Sequence, residues 1–311
     1  MGSWTEDDIP DLTGRQAVVT GANSGIGFYT ALALAEHGAN VVMACRDQKR
    51  SQKAFDEVSA AATGIVDMES LDLADLDSVA EFAVDLNDRF DGIDILINNA
   101  GVMGGPRRTT AQGFELQMGT NHLGHFALTA RLWPLLTAVE DARVVSLSSI
   151  AAFRGTLNAQ MTRQTLINPQ PYEAFSVYSN TKQATLLFSQ ELYRRADAAG
   201  LSLVSVASHP GVSSTNLFNR QLRERHLGFL VPVADVMGRV AFMSARSGAH
   251  PSVRAATDTS VLSGEFVGPT AMRQMRGKPA VIKVYPSGRD LETAARLWQL
   301  SEEITDVQFA V

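Results

Sequence analysis

Short β-branched runs alternate with longer helix-forming stretches along this chain, and that alternation restricts the fold more than any other feature. The runs fall at residues 17–20, 40–44, 65–66, 93–97, 143–147 and 201–207; the stretches between them, 26–36, 48–61, 76–90, 114–139 and 175–199, are rich in Ala, Leu, Gln and Glu with few breakers inside. Six strands separated by helix-length segments read as repeated βαβ units. They predict an α/β fold, a doubly wound parallel sheet with helices on both faces. Pro134 is expected to kink or end the fourth helix, because it lacks the amide that an internal turn needs. After Pro210-Gly211 the pattern changes: Gly228, Pro232, Gly238, Gly248, Pro251, Gly264, Gly268 and Pro269 interrupt shorter pieces before a seventh strand near 265–267. Residues 291–305 have a helical period and are expected to pack on the outside of the sheet.

With 311 residues, 45% of them apolar and 19% charged, the chain has the make-up of one globular domain, and no repeat, linker or low-complexity tract divides it. The expected layout is a single domain over 1–311, with a cofactor-binding and catalytic core at 13–208, a substrate cap region and last strand at 209–270, and a C-terminal extension at 271–311. Lys plus Arg total 27 against 33 for Asp plus Glu, a net charge of −6, and no basic cluster supplies what a phosphate backbone would require, so nucleic acid is not an expected partner. The single cysteine, Cys45, rules out an intrachain disulfide and a cysteine zinc site, and no metal is expected. Glu6, Asp7 and Asp8 stand where a signal peptide would carry positive charge, and no window approaches ~18 uninterrupted apolar residues. A cytoplasmic protein without an integral membrane segment is the expectation.

The first chemical signal follows the first strand: Thr20-Gly21-Ala22-Asn23-Ser24-Gly25-Ile26-Gly27 and then a helix. Glycines at 21, 25 and 27 allow a tight turn, a close backbone approach to a ligand and close helix–sheet packing, while helix N-terminal amides favour an anion such as a dinucleotide pyrophosphate. The spacing is GxxxGxG rather than GxGxxG. The second signal is Tyr178-Ser-Asn-Thr-Lys182, where i, i+4 spacing sets a phenol and an ammonium on one helix face. A cation so placed is expected to lower a phenol pKa normally about 10, making tyrosine a usable acid or base. Ser148-Ser149 and Asn98-Asn99-Ala100-Gly101 close the fifth and fourth strands at the carboxyl edge, where open α/β sheets bind ligands. Asn121-His122-Leu123-Gly124-His125-Phe126 places polar groups among apolar neighbours inside the long fourth helix.

Together these elements resemble the short-chain dehydrogenase/reductase family, in the family's order and over about residues 13–215. The resemblance implies a single-domain Rossmann-type sheet of about seven strands. It implies Asn121, Ser149, Tyr178 and Lys182 as the catalytic set. It also implies a cofactor site of Gly21, Asn23, Ser24, Gly25, Ile26, Gly27, Arg46, Asp72, Leu73, Asn98, Ala100, Gly101, Tyr178, Lys182, Pro210, Gly211 and Thr215. Tyr178 would exchange a proton with the carbonyl or alcohol oxygen, Ser149 would position that oxygen, Lys182 would hold the nicotinamide ribose and depress the phenol, and Asn121 would keep a water-linked proton path to Lys182. Dimers or tetramers through the fourth and fifth helices are implied too, although the insertion and tail are placed to block one such contact.

Cofactor choice turns on Cys45-Arg46-Asp47 at the end of the second strand. Cys45 occupies the usual acidic position, and Arg46 would neutralise a 2′-phosphate, which favours NADP; Asp47 keeps NAD as the alternative. Twenty-nine positions separate Ser149 from Tyr178, against about a dozen in the commonest family pattern, so residues 154–171 are expected to loop out near the substrate mouth. That spacing, with Cys45-Arg46-Asp47 and His209-Pro210-Gly211, resembles the retinol dehydrogenase and protochlorophyllide reductase branch. Phe218, Leu222, Leu227, Phe229, Leu230 and Val231 would make an apolar lid. The expected activity is NADP-dependent interconversion of a carbonyl and an alcohol on an apolar small molecule. The alternatives are NAD-linked alcohol oxidation and a nucleotide-sensing interaction protein.

Overall fold

The computed structural model describes residues 4–212 and 243–310. Its strands are β1 Gln16–Thr20, β2 Asn40–Cys45, β3 Val66–Ser70, β4 Ile95–Asn98, β5 Arg143–Leu147, β6 Val204–Ser208, β7 Phe266–Ala271 and β8 Arg276–Ile282. They form one sheet in the order β3-β2-β1-β4-β5-β6-β7-β8, parallel except for β8, which runs antiparallel to β7. About seven strands were expected, and the eighth was not. It carries Pro279 and Lys278 and reads in sequence as a turn-rich tail, yet an edge strand tolerates proline and charge. The strand order reverses at β1 and β4, which opens a crevice outside the carboxyl ends of those two strands.

Alternating side chains of the central strands feed two cores. Val18, Val42, Leu96 and Val144 pack on one face with Leu86, Phe126 and Phe188, while Val19, Met43, Ile97 and Val145 pack on the other with Leu34 and Val253. The helices supplying these faces are α1 Gly25–Glu36, α2 Gln48–Ala61, α3 Leu76–Arg89, α8 Ala174–Ala198 and α9 Ala245–Thr257. The fourth helix expected over 114–139 is instead four pieces: α4 Leu116–Met118, a π turn at Gly119–Leu123, α5 Gly124–Arg131 and α6 Trp133–Thr137. Pro134 sits in the first turn of α6, where its missing amide is harmless, so the break falls at Leu132.

Two further expectations change. Helix α9 lies in the region read as a cap, yet it packs on α1 and the sheet face. The insertion is docked rather than looped out. It forms α7 Arg163–Ile167, its Met161 and Leu166 join Leu297 and Ile304 of α10 Leu291–Thr305 in a small core, and Gln183 of α8 bonds to both the amide and the carbonyl of Leu157. Helix α10 packs on α8, α5 and the π turn: Trp298 stacks on Phe188 at 5.9 Å between ring centres and meets Phe126 edge-on at 5.2 Å, and Ser301 bonds to His122. No described helix is long and apolar enough to cross a membrane. Thr215 and the six apolar residues of the expected lid lie outside the described residues.

Candidate active site

The carboxyl ends of β1, β2, β4 and β5 border a cleft of about 850 Å³. At β1, Gly21 (φ +66°) and Gly25 (φ +58°) take left-handed conformations that side-chain residues rarely adopt. Gly27 is needed for another reason: a Cβ there would collide with the Gly21 carbonyl oxygen and Asn99 Nδ2. Ser24 caps α1 by backbone position only, no side chain bonds the first amides, and the first turn holds no acid. These bare amides face a glycine-lined cradle suited to a pyrophosphate. Gly27→Ala is expected to weaken dinucleotide binding by tenfold or more and to destabilise the fold by about 1–3 kcal/mol through overpacking, read by calorimetry and thermal unfolding.

Thr20, at the end of β1, ties this turn to β4. Its hydroxyl accepts the amides of Asn99 and Ala100 at 2.9 Å each and lies 2.9 Å from His125 Nε2. With both lone pairs used, the hydroxyl donates to Nε2, so the His125 proton sits on Nδ1 and points at the Asn121 carbonyl 3.1 Å away. His125, which sequence reasoning left without a role, thereby links the cofactor turn to the π turn holding Asn121. Asn121 itself clamps Val102 through both backbone groups, at 2.8 and 2.9 Å, and donates to Thr181 Oγ1 at 3.0 Å, so its amide fixes the β4 exit loop against α8.

Gly21, Asn23, Ser24, Gly25, Ile26, Gly27, Arg46, Asp72, Leu73, Ala100, Gly101, Pro210 and Gly211 all line the cleft, with Ser149, Tyr178 and Lys182. Asn98 does not: its side chain points inward and donates to Thr129 Oγ1 at 3.0 Å. The next residue, Asn99, lines the cleft in its place. The family-implied cofactor role of Asn98 is therefore corrected as far as its side chain is concerned. Asp47, which keeps the NAD alternative open, also lines the cleft, and so do Arg50, Met103, Phe153, Arg154 and Phe175, which were missed because no motif contains them.

Ser149 starts the 3-10 turn Ile150–Arg154 and is half-buried, whereas the buried Ser148 hydroxyl is spent on the Lys182 carbonyl at 2.7 Å. Lys182 Nζ donates to the Leu147 carbonyl at 2.7 Å and lies 5.9 Å from the centre of the Tyr178 ring. Burial draws its pKa down to about 8. The phenol departs from expectation: burial pushes Tyr178 above its ordinary value and the Ser149 hydroxyl only partly opposes it. The lysine charge is too distant and too engaged with Leu147 to outweigh burial.

Near β2, Cys45 is buried and Arg46 is exposed on the cleft rim. Asp47 lines the cleft with its carboxylate already engaged: it caps α2 through the Arg50 amide at 3.1 Å and pairs with the Arg50 guanidinium at 3.1 Å.

A glycine-turn cleft at the switch point of a doubly wound sheet, with a tyrosine and a lysine at its other wall, defines a nicotinamide-dinucleotide oxidoreductase. Comparison with known proteins agrees. The short chain dehydrogenase family matches residues 15–161. Human retinol dehydrogenase 13 is 34% identical over 301 residues, covering 96% of this chain and 86% of that protein. The crystal structure of an uncharacterized protein from Mycobacterium paratuberculosis superposes with a TM-score of 0.80 at 38% identity over the whole of both chains. The Pseudomonas aeruginosa RhlG/NADP active-site complex superposes with a TM-score of 0.63 at 25% identity, covering 82% of this chain and 94% of that one. The chain belongs to the short-chain dehydrogenase/reductase family, in its retinol dehydrogenase-like branch.

Proposed function

We propose that the protein reduces a carbonyl on an apolar small molecule to the alcohol, with NADP as its dinucleotide. The observation that carries this reading is the pairing of two ends of one cleft. Ser149, Tyr178 and Lys182 stand at one end, and at the other Arg46 is exposed beside the buried Cys45 while Asp47 is spent on a helix cap. A nicotinamide held in the cleft would supply the hydride that the carbonyl carbon takes up. Tyr178 supplies the proton to the carbonyl oxygen, and Ser149 donates a hydrogen bond that holds that oxygen beside the phenol. A phenol held above its ordinary value is protonated at neutral pH, which is the form that reduction uses. Lys182, mostly charged at pH 7, would donate to the nicotinamide ribose and stabilise the negative charge left when Tyr178 gives up its proton.

Arg46 would meet a 2′-phosphate with charge-assisted hydrogen bonds, whereas the engagement of Asp47 with Arg50 speaks against NAD-linked oxidation. The name of the relative retinol dehydrogenase 13 and the NADP in the RhlG complex support an apolar alcohol or carbonyl and this dinucleotide. The test is calorimetric titration with NADPH and NADH, followed by turnover of a medium-chain aldehyde. NADPH is expected to bind at least tenfold more tightly, and Arg46→Ala to remove about tenfold of that preference. Equal or NADH-favouring affinity, or no consumption of NADPH with the aldehyde, would overturn the reading.

A further inference from the structure

Arg154 lines the same cleft as Ser149 and Tyr178 and has no carboxylate partner among the described residues. Its guanidinium is held by aromatic faces, 5.3 Å from the centre of Phe153 and 5.9 Å from that of Phe175. Both rings are largely exposed at the cleft, at 54% and 41%, with Phe153 edge-on to Tyr285 at 6.4 Å and Phe175 tilted toward Tyr178 at 6.4 Å. The backbone beneath is fixed: the turn begins at Ser149 and leads into Thr156 and Leu157, whose amides bond to Asn180 and Gln183 of α8 at 2.8 Å each.

Along α8, Lys182, Tyr178 and Phe175 run in order from the cofactor wall outward. The lysine Nζ lies close to Gly101, and the Phe175 ring lies 6.4 Å from the Tyr178 ring on the other side. Arg154 sits over that outer ring, so its charge is no farther from the centre of the Tyr178 ring than those two spacings laid end to end. Two strands, β1 and β4, separate the end of β2, with Arg46, from the end of β5, which leads into Arg154, so the two cations do not share one phosphate.

We propose that Arg154, clamped between Phe153 and Phe175, recognises an anion on the substrate, and that the substrate is an apolar chain with the reacting carbonyl at one end and a carboxylate at the other. The rings would cover the apolar stem, and the planar fork of the guanidinium matches a carboxylate with two parallel hydrogen bonds. This inference rests on the carbonyl-reductase reading for its reacting end, while the anion site is independent of turnover.

The test compares 9-oxononanoate with its methyl ester as substrates in the presence of NADPH, and titrates nonanoate and methyl nonanoate, which carry no group to oxidise or reduce in this reaction, into the NADP-loaded protein. The wild type is expected to show a KM about tenfold lower for the acid than for the ester and tighter binding of nonanoate than of methyl nonanoate. Arg154→Gln is expected to bring both ratios near one, and Arg154→Lys to retain only part of them, because the charge stays but the fork is lost. A wild-type ratio near one, or a preference that survives in Arg154→Gln, overturns the inference. Should neither aldehyde be reduced, the reaction falls, and the nonanoate titration alone decides the anion site: a loss of affinity in Arg154→Gln upholds it, and no loss overturns it.

Discussion

Tyr178→Phe is expected to lower turnover by about two to four orders of magnitude while leaving dinucleotide affinity within a few-fold of wild type. Only the hydroxyl is removed. The ring keeps its place in α8 and its neighbour Phe175, and the groups that line the dinucleotide end of the cleft are untouched. The half-buried phenol already sits above its ordinary pKa, so the wild-type rate is expected to hold through neutral pH and to rely on the proton that the phenol supplies. Steady-state kinetics at saturating cofactor, with the dissociation constant measured separately, separates the two effects. Turnover unchanged in the variant would remove Tyr178 from the chemistry, and a matching loss of cofactor affinity would make it a binding residue instead.

Stability is expected to fall steeply as the pH drops from about 6.5 toward 4. Three histidines carry this. His122 is drawn down to about 3 by burial and then by His125; His125 to about 4 by burial foremost; and His209 to about 4 by burial. In the unfolded chain each titrates near 6.5. Across the window between these values the unfolded chain binds more protons than the folded one, so stability is fully present above about pH 6.5 and is lost as the pH falls toward the folded values. His125 and His209 each account for roughly 3 kcal/mol and His122 for roughly 5 kcal/mol across their full windows, since every tenfold difference in proton affinity between the folded and unfolded chain is worth about 1.36 kcal/mol. Urea midpoints measured from pH 7 to 5 should decline. His122→Gln, His125→Gln and His209→Gln should each flatten the slope, even where they lower stability at pH 7 through the lost bond of His122 to Ser301 or of His125 to Thr20. A level profile from pH 7 to 5 would show that the histidines are charged in the folded state.

Much of the architecture was legible because its signals are local. Helices 48–61 and 291–305 were read to the residue, since Asp47 and Asp290 mark their starts as side-chain caps and the apolar period runs unbroken behind each. The glycine turn was legible for the same reason: left-handed φ values and a Cβ-free contact are demanded by a few neighbouring residues. The fourth helix was not legible as built. A π turn at Gly119–Leu123 has the same composition as an α-helix, and only the clamp of Asn121 on Val102, from another part of the chain, shows why the turn widens there.

Strand parity explains the exchange of Asn98 for Asn99. Successive side chains on β4 point to opposite sides, and which asparagine meets the cleft depends on the pairing of β4 with β1 and β5, which sets Asn98 opposite Ser146 in the interior. The phenol gives the electrostatic version. Four-residue spacing places Lys182 and Tyr178 on one face, but the direction in which the phenol moves is set by how deeply both are buried and by the Leu147 carbonyl that engages the ammonium.

The sequence by itself determined the alternating sheet, the cofactor turn and the serine, tyrosine and lysine of the site, because backbone conformation and motif chemistry act over a few neighbouring residues. Tertiary structure alone decided that the edge strand Arg276–Ile282 pairs with β7, that His125 joins Thr20 to Asn121, and that Arg154 stands between two exposed rings beside the tyrosine. Those features depend on packing between segments far apart in the chain, where burial and pairing, rather than local preference, set the direction of each side chain.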